Sequence, residues 1–237
     1  MSLIKSNAVA PPPPSGGLSS ISEMNSLRFP NSGVLYTALA TPDSVRKYTI
    51  SLWVKLANQD TAFQCLLERA RPSNYSQGLV FQNHGFKHYE NGTQVHEAVT
   101  RDYSAWYHLM VAYDADAGYQ KMWLNGRLNE VARSSDSQMA VGGSQWTLGK
   151  SGWSGVYPFK GGYIADVYYL DGVVPTVANG GLDADNNLQM LGERVSDIWV
   201  PKEYSGSYGN AGFHLDFADA NNIGNDVSGR GNHWTVN

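Results

Sequence analysis

An all-β fold, two antiparallel sheets packed face to face as a jelly-roll sandwich, is the class this sequence predicts. Three observations predict it: apolar residues alternating with a period of two, turn dipeptides placed between those runs, and no amphipathic helix of about ten residues or more. Composition agrees with them. Charged residues make up 16% of the 237-residue chain and aromatics 12%, with 14 Tyr and 25 Gly, a balance suited to short strands and many turns.

The alternation is clearest in Tyr48-Thr-Ile-Ser-Leu-Trp-Val-Lys-Leu56. It puts Tyr48, Ile50, Leu52, Val54 and Leu56 on one face and Thr49, Ser51, Trp53 and Lys55 on the other, the pattern of a half-buried strand. Trp106 to Tyr113, the loop Asp114-Ala-Asp-Ala-Gly118, and Tyr119 to Leu124 read as strand, loop and strand. Asn91-Gly92 and Asn125-Gly126 favour the positive φ angles of a type I′ turn, so each marks a further hairpin. Tyr163 to Leu170 is another strand and stops at Asp171-Gly172. Successive hairpins close most economically as two packed sheets. The expected core contains Ile50, Leu52, Val54, Leu109, Val111, Leu124, Leu148, Ile164 and Val167.

Three stretches are expected along the chain. Residues 1–25 form an arm in which Pro11-Pro-Pro-Pro14 leads into Ser15-Gly16-Gly17, a stiff extended segment running into a flexible joint. Two readings stand for it: a disordered tail, or an anchor in which Leu3, Ile4, Val9, Pro11, Pro12, Pro13 and Pro14 lie along a groove or sheet edge of another subunit. Residues 26–173 form the sandwich. Residues 174–237 form an extension packing on it, read over 175–212 as loops with one short helix, then returning to strand, Gly-rich turn and strand from Gly212 to Val236.

Taken in order, Thr49-Ile-Ser-Leu-Trp-Val, Trp106-Tyr-His-Leu, Asp114, Met122-Trp-Leu-Asn-Gly126, Trp146-Thr-Leu-Gly149 and Phe159 to Gly172 resemble the laminin-G-like domains of the concanavalin-A-like lectin and glucanase superfamily. The resemblance covers about 150 residues, and it implies a concanavalin-A-like jelly roll. It does not choose a function, because that superfamily includes lectins, glycosidases, adhesion modules and structural repeats. The segment Gly212 to Val236 resembles the extension that follows such domains in bacteriophage structural proteins. That resemblance implies a non-enzymatic virion component, a capsid decoration or a tail or fibre part, held through the N-terminal arm. Its partners would be other virion proteins, with self-association as a further expectation. The alternative it leaves open is an adhesin module that binds a glycan on the host surface.

The excluded chemistry narrows the field. Seventeen Lys and Arg against 21 Asp and Glu give a net charge of −4, with no basic run able to neutralise a row of phosphates, so nucleic acid is not an expected partner. No segment approaches the roughly 18 apolar residues of a membrane span, and the opening Met1-Ser-Leu-Ile-Lys-Ser lacks a signal-peptide core. Synthesis in a cytoplasm is expected, and the Asn74-Tyr-Ser and Asn91-Gly-Thr acceptor patterns then go unread. The single Cys65 forms no internal disulfide and reads as a packed residue.

Catalytic signatures are missing. The glycosidase pattern Glu-x-Asp-x-x-Glu, the Gly-x-Ser-x-Gly elbow and a complete phosphate loop do not occur, although Gly149-Lys-Ser151 mimics the end of one. His84 and His88 could share a strand face but lack further zinc ligands. Asp183-Ala-Asp-Asn-Asn187 begins like a calcium loop, yet Leu188 stands at its glycine and Arg194 at its bidentate glutamate. No cofactor is expected, and calcium stays open without ligands to assign. What remains are aromatics in Gly-, Ser-, Asn- or His-rich stretches: Tyr75, Phe86, Trp153 and Tyr157 either stack on sugar rings or plug the ends of the sandwich.

Overall fold

A computed structural model describes residues 4–8, 24–30, 33–38, 40–57, 62–69, 77–90, 93–129, 145–152 and 157–237. Among these residues there are strands and turns and no helix, so the short helix expected between residues 175 and 212 does not form and that stretch folds as turns and a hairpin. The first sheet runs β1 (Ile4–Ala8), β2 (Met24–Arg28), β13 (Tyr163–Asp171), β4 (Lys47–Lys55), β9 (Trp106–Asp114), β10 (Tyr119–Leu124) and β11 (Arg127–Asn129), with β16 (Phe213–Leu215) also pairing to β13. The second runs β17 (Thr235–Val236), β3 (Leu35–Ala38), β12 (Gln145–Leu148), β5 (Gln64–Arg69), β6 (Gln77–Gln82), β7 (Gly85–Glu90) and β8 (Thr93–Val99). A hairpin, β14 (Gly192–Val195) with β15 (Ile198–Pro201), stands apart from both. Every pairing is antiparallel, and the two large sheets form the jelly-roll sandwich.

The main core lies between the sheets. Ile50, Leu52, Val54, Leu109, Val111, Leu148, Ile164 and Val167 are all buried there, with Leu124 packed at its margin. Ile164 and Val167 are three residues apart, so a regular strand would point them to opposite faces. A bulge between Ala165 and Tyr168 removes the conflict: Asp166 takes a φ of +52°, the register against β4 shifts, and the facing parity reverses.

The expected half-buried β4 is corrected by the structure. Thr49, Ser51 and Trp53 are as buried as Ile50, Leu52 and Val54. The physical reason is a third layer. Leu182, Leu188, Met190 and Leu191 from the extension cover Met110, Ala112, Trp123, Tyr168 and Leu170 on the outer face of the first sheet. Four isolated apolar residues without a period thus do what a strand or helix face would normally do.

A stacked column fastens this layer. Trp53 stacks on His108 at 4.9 Å between ring centroids, and His108 stacks on Trp199 of β15 at 5.9 Å. The Trp199 indole Nε1–H donates to His108 Nδ1 at 2.9 Å, which leaves Nε2–H to donate to Ser51 Oγ at 2.7 Å. Both nitrogens are satisfied in the neutral ring, and burial lowers the His108 pKa to about 3. Glycine at 126 is required by the same contact. Its φ is +72°, and a Cβ there would meet the Trp199 ring at 2.4 Å. With Asn125 at a φ of +50°, Asn125-Gly126 makes the type I′ turn that joins β10 to β11. Asn91-Gly92 lies outside the described residues, although β7 and β8 on either side do pair.

The final segment ties both sheets together. β16 joins the first sheet, β17 joins the second, and Phe213, Phe217 and Trp234 fill the core between them. Asp226 fixes the Gly-rich turn: its carboxylate accepts from the backbone N–H groups of His214 (2.9 Å), Ser228 (2.9 Å) and Asn232 (2.8 Å). Between the sheets, Tyr48 donates to buried Glu90 of β7, and His88 Nε2 lies 3.4 Å from the same carboxylate. Burial and Glu90 together push the Tyr48 hydroxyl well above its ordinary pKa, so it remains a donor.

Candidate functional site

The four aromatic residues expected on loops separate in the structure. Phe86 lies in β7 and is fully buried, meeting Phe81 edge-on at 5.4 Å and Tyr107 at 5.4 Å. It is a core residue and offers no face to a ligand, a correction to the sequence reading. Its histidine-flanked surroundings are a tight turn, in which Asn83 and His84 have φ of +51° and +63° and join β6 to β7. His84 therefore sits on the turn while His88 points into the sandwich, and the two share no strand face. Tyr75 and Trp153 lie outside the described residues. Tyr157 is 41% exposed.

Tyr157 does not stand alone. Its backbone is fixed by a carbonyl that accepts from Cys65 N–H at 3.0 Å, at a φ of +59° that a bulky residue seldom adopts. Its ring packs on Phe63 at 5.0 Å, and Phe63 packs on Tyr89 at 5.8 Å. Strand alternation carries the same surface onward across the second sheet. In β7 the core receives Phe86, His88 and Glu90, so Lys87 and Tyr89 face away from it. Opposite them on β8 stand Glu97 and Gln94.

These polar groups hold one another in place. Lys87 Nζ donates to Gln94 Oε1 at 3.1 Å and lies 3.6 Å from Glu97, while Gln94 Nε2 donates to Glu97 at 3.1 Å. Tyr89 Oη approaches Gln82 Oε1 at 3.5 Å. The arrangement is a row of three aromatic side chains, Tyr157, Phe63 and Tyr89, beside amide and charged groups of which Lys87 is largely buried, a mixture of apolar surface and directed hydrogen bonds that suits a pyranose ring. Sequence reasoning missed Phe63, which precedes β5, and Tyr89, which lies within β7, because no local spacing connects either to Tyr157.

Reactive constellations elsewhere are structurally spent. Ser51 and His108 lie within hydrogen-bonding distance, but both are buried and the third partner is the Trp199 indole rather than a carboxylate. Cys65 is buried, and burial with nearby Glu68 pushes its thiol pKa upward, away from the reactive thiolate. Asp114 and Asp116 serve their loop, as Asp114 Oδ1 accepts from the N–H groups of Asp116 and Ala117. Asp183 accepts from its own turn in the same way, at Asp185 N–H and Asn187 N–H. No group of three or more His, Cys, Asp or Glu among the described residues is placed to hold a metal ion.

The class is thus a lectin-like β-sandwich with an aromatic and polar surface on its second sheet. Over residues 31–175, more than half of its length, the chain matches the laminin-G-like model described as the concanavalin A-like lectin/glucanases superfamily, and it belongs to that family. A solved structure from Bacteroides ovatus, provisionally assigned as a carbohydrate-binding protein, is similar with a TM-score of 0.64 at 12% identity, over 90% of this chain and 58% of that one. A native heptameric SAP-like pentraxin from Limulus polyphemus is similar with a TM-score of 0.51 at 14% identity, over 76% of this chain and 92% of that one. A sialidase from Trypanosoma rangeli overlaps less well, with a TM-score of 0.44 at 11% identity over 62% of this chain and 27% of that one. At these identities the likeness is one of fold. No curated protein matches the chain.

Proposed function

We propose that this protein binds carbohydrate without transforming it, through the outer face of its second sheet. The observation that carries the reading is the contact of exposed Tyr157 with Phe63 and of Phe63 with Tyr89, next to the preset groups of Gln82, Lys87, Gln94 and Glu97. Sugars present one apolar ring face and an edge of hydroxyls. Fixed aromatic rings take the first, and amide and charged groups take the second. Membership of a superfamily of lectins and glucanases supports the same reading, as does the fold shared with the Bacteroides ovatus protein.

The test is a glycan array followed by titration calorimetry on the hits, with Tyr157→Asn as the variant because asparagine tolerates the positive φ while removing the ring. The expected result is a loss of about tenfold or more in affinity with the melting temperature retained, since an aromatic anchor of a binding surface contributes roughly 2 kcal/mol or more. Hits whose affinity is indifferent to Tyr157→Asn would move the site elsewhere, and release of reducing ends from a bound polysaccharide would make the protein a glycosidase.

Membership of a phage particle is a separate proposal for the same chain, motivated by the resemblance of Gly212 to Val236. The structure adds a fact about its expected attachment: Ile4–Ala8 pair antiparallel with β2 of their own chain, Ile4 opposite Arg28 and Ala8 opposite Met24. Ile4 thus pairs by its backbone within its own sheet, of which β1 is the edge strand. Leu3, Val9 and Pro11 to Pro14 lie outside the described residues.

A further inference from the structure

A second cleft lies on the other side of the sandwich, where the β10–β11 hairpin meets the extension. It encloses about 490 Å³ and is lined by Trp123, Leu188 and Trp199 at its apolar base, with Arg127, Arg194 and Asn186 among the polar residues of its walls. This is within the range of about 300–1,000 Å³ that small-molecule sites occupy. Part of its wall comes from residues 183–199, beyond the family-matched segment 31–175.

Its electrostatics are unusual for the molecule. The chain carries a net charge of −4, yet two guanidinium groups face one cleft from different elements, Arg127 from β11 and Arg194 from β14, both on exposed residues. Among the described residues neither is held in an ion pair. Arg194 is positioned instead by donation from Nη1 to the Asp197 carbonyl at 3.1 Å, which leaves its remaining donors for a ligand. The one carboxylate in the lining, Asp183, is already consumed by its own turn. Besides the two backbone N–H groups it accepts from Asn187 Nδ2 at 2.9 Å, and the Asn187 bonds hold its carboxyl below the ordinary range. Asp183 keeps its negative charge, so the lining carries two guanidinium charges against one carboxylate and is net positive.

We infer that this cleft is a binding site for a carboxylated saccharide, a hexuronate unit of an acidic polysaccharide. A guanidinium fork matches a carboxylate with two parallel hydrogen bonds, a geometry that a hydroxyl cannot reproduce. The indole of Trp199, immobilised by His108 and packed against Gly126 and Gly192, is among the lining residues and contributes to the apolar side of the cleft. The Asn186 side chain, on a turn residue with φ of +62°, stands at the rim where ring hydroxyls would lie. Apolar base, paired cations and an amide together select an acidic sugar over a neutral one. This site is independent of the Tyr157 surface and stands or falls separately from it.

Titration calorimetry on the full chain tests the assignment, with oligogalacturonate and alginate oligomers as acidic probes, cellohexaose as the neutral probe and a carrageenan oligosaccharide, sulfated but free of carboxylates, as the sulfated one. At least one carboxylated probe should bind, cellohexaose should bind at least about tenfold more weakly at this cleft, and Arg127→Gln and Arg194→Gln should each lower the acidic-probe affinity about tenfold. Tyr157→Asn should leave that affinity within about twofold, which separates this site from the one proposed above. Because both arginines are exposed, their variants should melt as the parent does; Asn186→Gly, which suits a positive φ, provides a further variant with an expected loss of about threefold. Failure of both carboxylated probes to bind, binding that is unchanged in the arginine variants, or preference for the sulfated chain would each overturn the inference.

Discussion

Trp199 donates its indole hydrogen to Nδ1 of His108, 91 residues earlier in the chain, across 2.9 Å. This single bond joins the extension to the middle of the first sheet, and it exists only while His108 is neutral. In the unfolded chain His108 should titrate near 6.5, whereas burial holds it to about 3 in the folded state. The unfolded state thus binds the extra proton first as the pH falls. Stability from this residue is complete above about pH 6.5 and declines progressively toward pH 3, by up to ~4 kcal/mol. Melting temperature recorded from pH 7 to pH 4 should fall, and His108→Gln should flatten the slope. An equally steep slope in that variant would place the sensitivity elsewhere.

Removing the indole should cost more than removing its hydrogen bond. Trp199→Ala deletes a ring packed on His108 and against Gly126, for an expected loss of about 3 kcal/mol, while Trp199→Phe retains most of the packing and should lose about 1 kcal/mol. Denaturant unfolding of the two variants measures the difference. Equal losses would mean that the hydrogen bond, rather than the packing, fastens the layer.

Tyr48→Phe should destabilise the sandwich by about 1–3 kcal/mol. The substitution keeps the ring and its packing on Tyr113 and Tyr169, but it leaves the buried Glu90 carboxylate short of a donor. Adding Glu90→Gln should recover part of the loss, since a neutral amide is less costly to bury than an under-paired charge. A double variant less stable than the sum of the two single ones would contradict that account.

Asp226→Ala should loosen the end of the chain without unfolding the sheets. It removes the acceptor shared by three backbone N–H groups, so amide exchange at His214, Ser228 and Asn232 should accelerate by about tenfold or more, while amides of β4 and β9 keep their protection. Uniform acceleration across both sheets would show instead that Asp226 supports the global fold.

Deleting residues 1–17 should leave the protein folded. It removes β1, but β2 keeps its other partner β13 through Arg28, Leu27 and Ser26. Melting temperature and sedimentation velocity check the fold, and co-sedimentation with phage particles lacking the protein checks the proposed attachment. Equal incorporation of the truncated and intact chains would remove the arm from any role in assembly.

Much of the sandwich was legible because a strand writes its facing into the sequence directly. Ile50, Leu52 and Val54 alternate, and so do Leu109 and Val111, and each lies in the core. Local pattern has no access to what arrives from far along the chain. Thr49, Ser51 and Trp53 have the composition of a solvent face and are buried only because residues some 130 positions later cover them. Phe86 was misplaced for a local reason: Asn83-His84 makes a tight turn without glycine, so the strand beginning at Gly85 was hidden inside a polar stretch. Tyr157 was singled out as a loop aromatic, but its partners Phe63, just before β5, and Tyr89, in β7, are far off in sequence and no spacing connects them.

The layer laid over the first sheet means that the unit recognisable by descent and the unit able to fold are different lengths. Family resemblance ends at residue 175, yet Met110, Ala112, Trp123, Tyr168 and Leu170 would then present a continuous oily face to water. Removing the residues after 175 would uncover that face and favour aggregation. A substitution on the outer face of the first sheet therefore calls for a matching one in the segment that covers it.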